Sequence, residues 1–86
     1  MPDSHSLKEK RAVLKPILEG TRRRFAVASA EVGHQDSWQR ARLGIAAVAG
    51  TPSQVEAVLD GCERFVWSRP GIEVLAMQRH WLDMEP

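Results

Sequence analysis

The side chains in this sequence that are best suited to chemistry are cations spaced along one predicted helix. Four of them are separated by three, four and seven residues, a spacing that places them on one side of an α-helix. They are Lys8, Arg11, Lys15 and Arg22. Such a row can follow a phosphate backbone, because each contact releases condensed counterions. The pattern predicts RNA binding, and a solvated helix face is the alternative interpretation.

Three more cations and one tryptophan are predicted to extend this surface. An aromatic ring in a loop can stack on an unpaired base, and Trp38 lies in a polar segment that also contains Gln35 and Gln39. The added residues are Arg23, Arg24, Trp38 and Arg40. A core or interface tryptophan is the alternative, since the sequence has no RRM-type aromatic motif and no tyrosine.

A second polar cluster contains the residue types of a metal site or an acid–base pair. Glu31, His34 and Asp36 are close in sequence, but no second cluster supplies further ligands. We interpret His34 and Asp36 as residues that organise a loop by hydrogen bonds to its backbone. We therefore predict no metal ion and no cofactor.

The remaining candidate nucleophiles do not predict an enzyme. Ser6 is explained as a helix cap, and no Gly-x-Ser-x-Gly elbow surrounds Ser4 in the Ser4-His5-Ser6 run. Cys62 lies on an apolar helical stripe and is predicted to be a small buried hydrophobe. The scattered glycines form no phosphate-binding loop. We predict neither catalysis nor a small-molecule substrate.

Length and composition indicate a single domain over residues 1–86 in the cytoplasm. The 86 residues contain no apolar run of membrane-spanning length, no export-signal pattern and one cysteine, which excludes an internal disulfide. A core this small predicts homo-oligomerisation as a source of further stability. Residues 1–42 carry nine Lys/Arg against five acids, whereas residues 43–86 carry three against six. This polarity suits either phosphate binding or pairing between copies.

Periodicity predicts two helices. Ser6 and Glu9 form a capping-box signature, and apolar residues at helical spacing predict a helix over about residues 6–23. Thr51, Pro52 and Gln54 mark the start of a second helix that ends near Arg69. Its predicted apolar stripe contains Val55, Val58, Leu59, Cys62 and Val66.

Three strands complete the predicted order helix, strand, strand, helix, strand. Residues 25–32 and 39–49 are predicted to form a hairpin, with Gly33 supplying a positive φ in the turn. Alternating residues from Ile72 predict a last strand that reaches Trp81 and Leu82.

Two segments make the sequence resemble the YlxP-like family, small bacterial proteins classed as a domain of unknown function. The first runs from Ser4 to Arg11, and the second runs from Ala30 to Arg40. The resemblance extends from Ser4 to about Leu82. The motif positions are Ser4, His5, Ser6, Leu7, Lys8, Glu9, Lys10, Arg11, His34, Gln35, Asp36, Trp38, Gln39 and Arg40.

The resemblance implies an α+β, ferredoxin-like fold (split βαβ), in which two helices cover one face of an antiparallel sheet. Similar proteins begin with a strand that leads into a Leu-Pro-x-Ser-His-Ser-Leu segment, whereas Met1-Pro2-Asp3-Ser4 stands at that position here. We therefore expect the first strand to be missing, giving α-β-β-α-β. Either the reading frame starts further upstream or another chain supplies the strand.

The resemblance also places the protein near the ribosome. Genes for similar proteins lie, in some bacteria, beside those for a transcription elongation factor, translation initiation factor two and a small ribosome-binding factor. This implies a role in ribosome maturation or translation. The alternative is a non-catalytic, homo-oligomeric interaction protein whose contacts include Trp38, Trp67 and Trp81, because Trp67 lies off its helix's apolar stripe.

Overall fold

The computed structural model describes residues 5–82 and contains two helices and one hairpin. The elements in order are α1 (Leu7–Phe25), β1 (Ala28–Gly33), β2 (Arg42–Ala46) and α2 (Pro52–Trp67). This confirms an α+β fold with two helices and an antiparallel pair, in the order α-β-β-α. The expectation for Met1–Ser4 lies outside the described residues.

Helix α1 begins where the sequence predicts and ends two residues later. Ser6 caps it, since the Ser6 Oγ accepts a hydrogen bond from the Glu9 N–H at 3.1 Å. The Glu9 carboxylate in turn accepts from the His5 N–H at 2.7 Å. The helix continues through Pro16 and ends at Ala26, whose φ of 53° is left-handed. Phe25 was predicted to open the strand but forms the last residue of α1.

The hairpin is shorter than predicted, and its turn has a different left-handed residue. β1 and β2 pair antiparallel from Ala28 opposite Ala46 to Gly33 opposite Arg42, with an irregularity between Glu31 and Gly33. The positive φ belongs to His34, at 59°, and not to Gly33 as predicted. A side chain at Gly33 would instead press on Arg42, since an added Cβ would lie 3.1 Å from the Arg42 Cβ.

Helix α2 confirms its predicted start. The Thr51 Oγ1 accepts from the Gln54 N–H at 3.2 Å, and Pro52 occupies the first turn. The helix ends at Trp67, two residues before the predicted Arg69, and Ser68 caps it with a backbone N–H that donates to carbonyls of the last turn. Pro70 and Gly71 follow, and a proline disfavours helical backbone at the residue before it. Neither helix of the described chain has the length and apolarity to cross a membrane.

The core lies mainly between α1 and α2 and extends to the inner face of β1. Its buried apolar residues are Leu14, Ile17, Val27, Cys62, Phe65 and Val66. Three polar residues are equally buried, namely Lys10, Thr21 and Ser29. The Thr21 hydroxyl lies 2.9 Å from the Ser29 hydroxyl, and both also bond to the Leu18 carbonyl. These bonds fasten β1 to α1 and satisfy the buried hydroxyls.

The predicted last strand does not form. Residues 72–82, the C-terminal arm, have no regular secondary structure, so the sheet of the described chain has two strands. A strand exists only where a neighbour accepts and donates its backbone bonds, and the alternating sequence alone supplies none. The arm is held instead by Arg79, whose Nη2 lies 2.8 Å from carboxylate oxygens of Asp60 and Glu63 on α2. A complete ferredoxin-like sheet is therefore not present in the described residues.

Candidate nucleic-acid interface

The four cations predicted to share one side of α1 are all exposed. We call this set the cationic stripe: Lys8, Arg11, Lys15 and Arg22. Beside it lies an open depression of about 350 Å³ between α1 and β1. The depression is lined by Arg11, Leu14, Lys15, Leu18, Glu19, Arg22 and Glu31. The stripe thus forms one wall of a shallow surface with an apolar floor.

Arg22 differs from the other three because it is anchored to β1. Its Nη2 and Nε donate to the Ser29 carbonyl at 2.6 and 3.1 Å. Three of the five guanidinium hydrogens stay available for a ligand. Within residues 5–82, no carboxylate forms an ion pair with Lys8, Arg11 or Lys15. Their positive charge is therefore free to attract an anion.

Lys10 does not belong to this surface. It is only 1% exposed, and its Nζ lies 2.6 Å from the Glu31 Oε2 and 2.6 Å from the His34 carbonyl oxygen. The ion pair neutralises Glu31, so that carboxylate is not free to act as a metal ligand or a general base. Our sequence interpretation overlooked this buried pair.

Spacing alone contains the signal that Lys10 is buried. Three to four residues separate each member of the inward row of α1, which is Leu7, Lys10, Leu14, Ile17 and Thr21. Residues at this spacing share one helix face. A lysine in an apolar row, with an acid on the adjacent strand, is a candidate for a buried ion pair.

The segment 34–40, the hairpin loop, presents Trp38 to solvent. Trp38 is 53% exposed and lies in a shallow depression with Asp36, Ser37 and Gln39. Because Lys10 binds the His34 carbonyl, the loop begins beside the N-terminal half of α1. Arg40 is also exposed in this loop. The structure therefore brings the predicted stacking residue to the same end of the molecule as the first cations of the stripe.

The predicted loop-organising role of Asp36 and His34 is wrong in its residues. The side-chain bonds come from Ser37, whose Oγ accepts from the N–H groups of Gln39 and Arg40 at 3.4 and 3.2 Å, and from Gln35, whose Nε2 donates to the Glu31 carbonyl at 3.3 Å. His34 contributes through its backbone carbonyl, which accepts from the Ser37 N–H at 3.0 Å. A hydroxyl can turn towards whichever backbone group needs a partner, and here it reaches two N–H groups in one turn.

Neither a metal site nor an activated thiol emerges among the described residues. In the part of the chain from residue 5 to residue 82, no three His, Cys, Asp or Glu side chains gather to hold a metal ion. Cys62 is 1% exposed, and burial raises the pKa of its thiol. A raised pKa keeps the thiol protonated and unreactive at neutral pH. Ser4, the remaining candidate nucleophile, lies outside the described range.

A second cluster of cations lies where α1 and α2 both end. Arg23 and Arg24 are exposed in the last turn of α1. The Arg24 guanidinium lies 4.8 Å from the centre of the Phe65 ring, and the Arg69 guanidinium lies 4.7 Å from the same centre. Sequence reasoning missed Phe65, because its contact with Arg24 joins two segments that are distant along the chain. It also missed Arg69, although Arg69 follows Phe65 by four residues, a spacing at which side chains can meet.

The sequence comparisons identify the family. A sequence profile described as "Protein of unknown function (DUF503)" matches residues 1–79. The chain is 46% identical over 79 residues to "Uncharacterized protein YlxP" of Bacillus subtilis (strain 168). That alignment covers 92% of this chain and 86% of the Bacillus protein. No solved structure matches the chain. The chain therefore belongs to the DUF503 family and is a YlxP-like protein.

Proposed function

We propose that this member of the DUF503 family binds structured RNA, weakly and in a salt-sensitive manner, in ribosome maturation or translation. The observation that carries the proposal is the cationic stripe. Its four cations are exposed along one side of α1, and none of the four has a carboxylate partner within the described residues. Each phosphate contact along such a row contributes to affinity through counterion release.

The dimensions of α1 suit a nucleic-acid backbone. A helix of 19 residues is about 28 Å long, at about 1.5 Å per residue. Contacts to phosphates position a protein on RNA without reading its sequence, so the stripe favours recognition of shape over sequence.

Charge and aromatic exposure support the same surface. The ion pair with Lys10 neutralises Glu31, so that Glu19 is the one remaining unpaired carboxylate among the residues that line the depression. Trp38 stands at the end of the surface where α1 begins, and it offers a plane on which an unpaired base can stack. A helical stem followed by an unpaired loop fits this arrangement. The gene neighbours of similar proteins direct the proposal to ribosomal RNA.

The test compares RNA retention by a variant of the cationic stripe with retention by a control variant at a paired cation. Replacing Arg11 and Lys15 by Gln removes two stripe charges, whereas Arg79→Gln removes a cation already neutralised by Asp60 and Glu63. We expect the double variant to bind less tightly to ribosomal RNA fragments. Its salt slope should fall by about 0.7 to 0.9 per lost contact. Arg79→Gln should leave binding unchanged.

Arg22 is a poorer choice for this experiment because it also holds the Ser29 carbonyl, and its loss would disturb β1. If the wild-type protein retains no RNA at about 50 mM salt, where electrostatic binding is strong, the proposal is wrong.

The second candidate is a non-catalytic homo-oligomer, and it is favoured by a specific observation. Large apolar side chains are exposed on the C-terminal arm and at the end of α2, namely Trp67, Leu75, Met77, Trp81 and Leu82. Apolar surface of this kind is typical of contacts between copies. Light scattering at micromolar concentration tests this candidate independently of RNA. A monomer mass would exclude it, and a dimer or larger mass would support it.

A further inference from the structure

The ring of Phe65 is tightly packed between the two helices. Phe65 is 7% exposed, and the Phe25 ring packs edge-on against it with centres 6.2 Å apart. The backbone of Gly20 lies so near that an added Cβ would be 2.3 Å from the Phe65 Cζ. A ring confined on these sides cannot shift freely. The ring therefore offers a rigid face to the two guanidinium groups that lie over it.

The two arginines over this ring have unused hydrogen-bonding capacity. Across residues 5–82, no carboxylate pairs with Arg24 or Arg69. The Arg69 Nε is buried and has no acceptor, which is costly for a charged donor. The Arg69 backbone is itself anchored, because its N–H donates to the Val66 carbonyl at 3.1 Å. Two arginines without a carboxylate partner lie over one ring, and one of them has a buried donor without an acceptor. This arrangement indicates a binding site for an anion.

We propose that Arg24 and Arg69 form a phosphate clamp around Phe65 that receives a backbone phosphate of the bound RNA. The planar guanidinium fork matches the oxygens of a phosphate and can donate two parallel hydrogen bonds to it. The clamp extends the interface from the end of α1 onto α2, at the opposite end of α1 from Trp38. It rests on the proposed function in one respect, since the phosphate is taken to be part of the RNA.

A structural role for the same arginines predicts a different outcome. Both residues lie at helix C-termini, where cations stabilise the negative end of the helix dipole. In that role, their loss would lower the free energy of unfolding and leave RNA affinity unchanged. Binding and stability therefore have to be measured on the same variants.

The experiment measures retention of oligouridine by Arg69→Gln, with Arg79→Gln as the control for loss of one positive charge. Urea unfolding is measured on both variants, because Arg79 also holds the C-terminal arm on α2. We expect Arg69→Gln to lower affinity by roughly threefold to tenfold, the range for one exposed charge-assisted contact. Its salt slope should fall by about 0.7, the value for one contact to a single strand. Arg69→Lys should keep the slope but lose part of the affinity, because lysine keeps the charge and lacks the planar fork.

A second measurement uses the wild-type protein and does not depend on how the variants fold. The NMR signal of the Arg69 Nε–H should shift when oligouridine is added, since this donor gains an acceptor. An Arg69 signal that does not move, or an Arg69→Gln variant that binds like wild type, overturns the clamp.

When every variant is measured with both oligouridine and the ribosomal RNA fragments, the outcomes separate the clamp from the proposed function. If Arg69→Gln has no effect while the Arg11 and Lys15 variant weakens binding, the clamp is wrong and the stripe is supported. If only Arg69→Gln weakens binding, the clamp is supported and the stripe is wrong. A wild-type protein that binds no RNA overturns both.

Discussion

Lys10 and Glu31 form an ion pair, with Nζ and Oε2 2.6 Å apart, that joins the second turn of α1 to β1. The partners are buried unequally, since the side chains are 2% and 21% exposed. Lys10 also binds the His34 carbonyl, so a single ammonium group connects the helix, the strand and the hairpin loop. The position of Trp38 relative to the cationic stripe therefore depends on this pair.

Because the two side chains are buried to different degrees, removing each partner should lower the free energy of unfolding by a different amount. Glu31→Gln leaves the ammonium group of Lys10 buried without a counterion, whereas Lys10→Met leaves a carboxylate that can turn to water. Breaking a fully buried pair costs about 3–5 kcal/mol, and the partial exposure of Glu31 reduces this to about 1–3 kcal/mol. We expect Glu31→Gln to be the more destabilising change, as measured by urea unfolding.

The double variant Lys10→Met/Glu31→Gln is the control for this pair. It removes both charges, so it should be more stable than Glu31→Gln alone. Equal losses from the two single variants, or a greater loss from Lys10→Met, would show that the pair is not buried as described.

The elements that depend on local sequence were predictable, and the contacts between them were not. The caps Ser6 and Thr51 accept hydrogen bonds from N–H groups three residues away. The residues of a single helical turn therefore suffice to predict where each helix begins. Phe65 and Arg69, in contrast, acquire their roles from Gly20 and Arg24 on the other helix. The cationic stripe could be predicted because helical spacing determines which side of α1 it occupies, whereas the Arg24–Arg69 pair could not.

The C-terminal arm shows why alternation is a weaker signal than capping. A helix satisfies its own backbone, but a strand requires a neighbour that lies elsewhere in the sequence. Ile72 and Val74 are half-buried as the alternation predicts, yet no strand pairs with them within the described chain. Ala76, the next residue of the alternating set, is exposed, and the pattern could not supply a partner strand.

Trp38 is predicted to contribute specifically to unpaired RNA. Trp38→Ala should reduce affinity for RNA with a single-stranded loop by about 1–3 kcal/mol, the value of one stacked base. Trp38→Phe should retain part of this affinity, because a smaller ring still stacks. Titrations with a hairpin RNA and with a blunt duplex of the same stem measure the difference.

Trp81→Ala is the matched control for that experiment, since Trp81 is 53% exposed, like Trp38, but lies on the C-terminal arm. It should leave binding of the hairpin RNA unchanged. A Trp38→Ala variant that loses equal affinity for hairpin and duplex would contradict stacking and indicate a general effect on the loop.

The close approach of α1 and α2 predicts that Gly20 cannot be replaced, although glycine usually weakens a helix. Gly20→Ala would normally stabilise a helix by about 1 kcal/mol, but here its Cβ would meet the Phe65 ring at 2.3 Å. Overpacking costs about 1–3 kcal/mol, so we expect a net loss of stability on chemical unfolding. Gly50→Ala is the control, because its nearest neighbour would be the flexible Gln54 side chain at 3.6 Å.

A double variant tests the cause of that loss. Gly20→Ala should lower the free energy of unfolding less in a Phe65→Leu background than in the wild type, since the shorter side chain leaves room for the methyl group. If the two costs simply add, the loss does not arise from contact between these residues.

The thiol of Cys62 reports on the packing between α1 and α2. Because Cys62 is 1% exposed and burial raises its pKa, a disulfide reagent should label it slowly at neutral pH. Labelling should become fast when urea opens the core.

The raised pKa also fixes the direction of a pH effect on stability. The unfolded thiol loses its proton near the ordinary pKa of 9.0, whereas the folded thiol keeps it to higher pH. Raising the pH through 9.0 therefore favours the unfolded chain, and the free energy of unfolding should fall. Cys62→Ala has no thiol to titrate, so its stability should fall less over the same change in pH. Rapid labelling of the folded wild-type protein, or equal pH dependence in both proteins, would show that Cys62 is not enclosed between the helices.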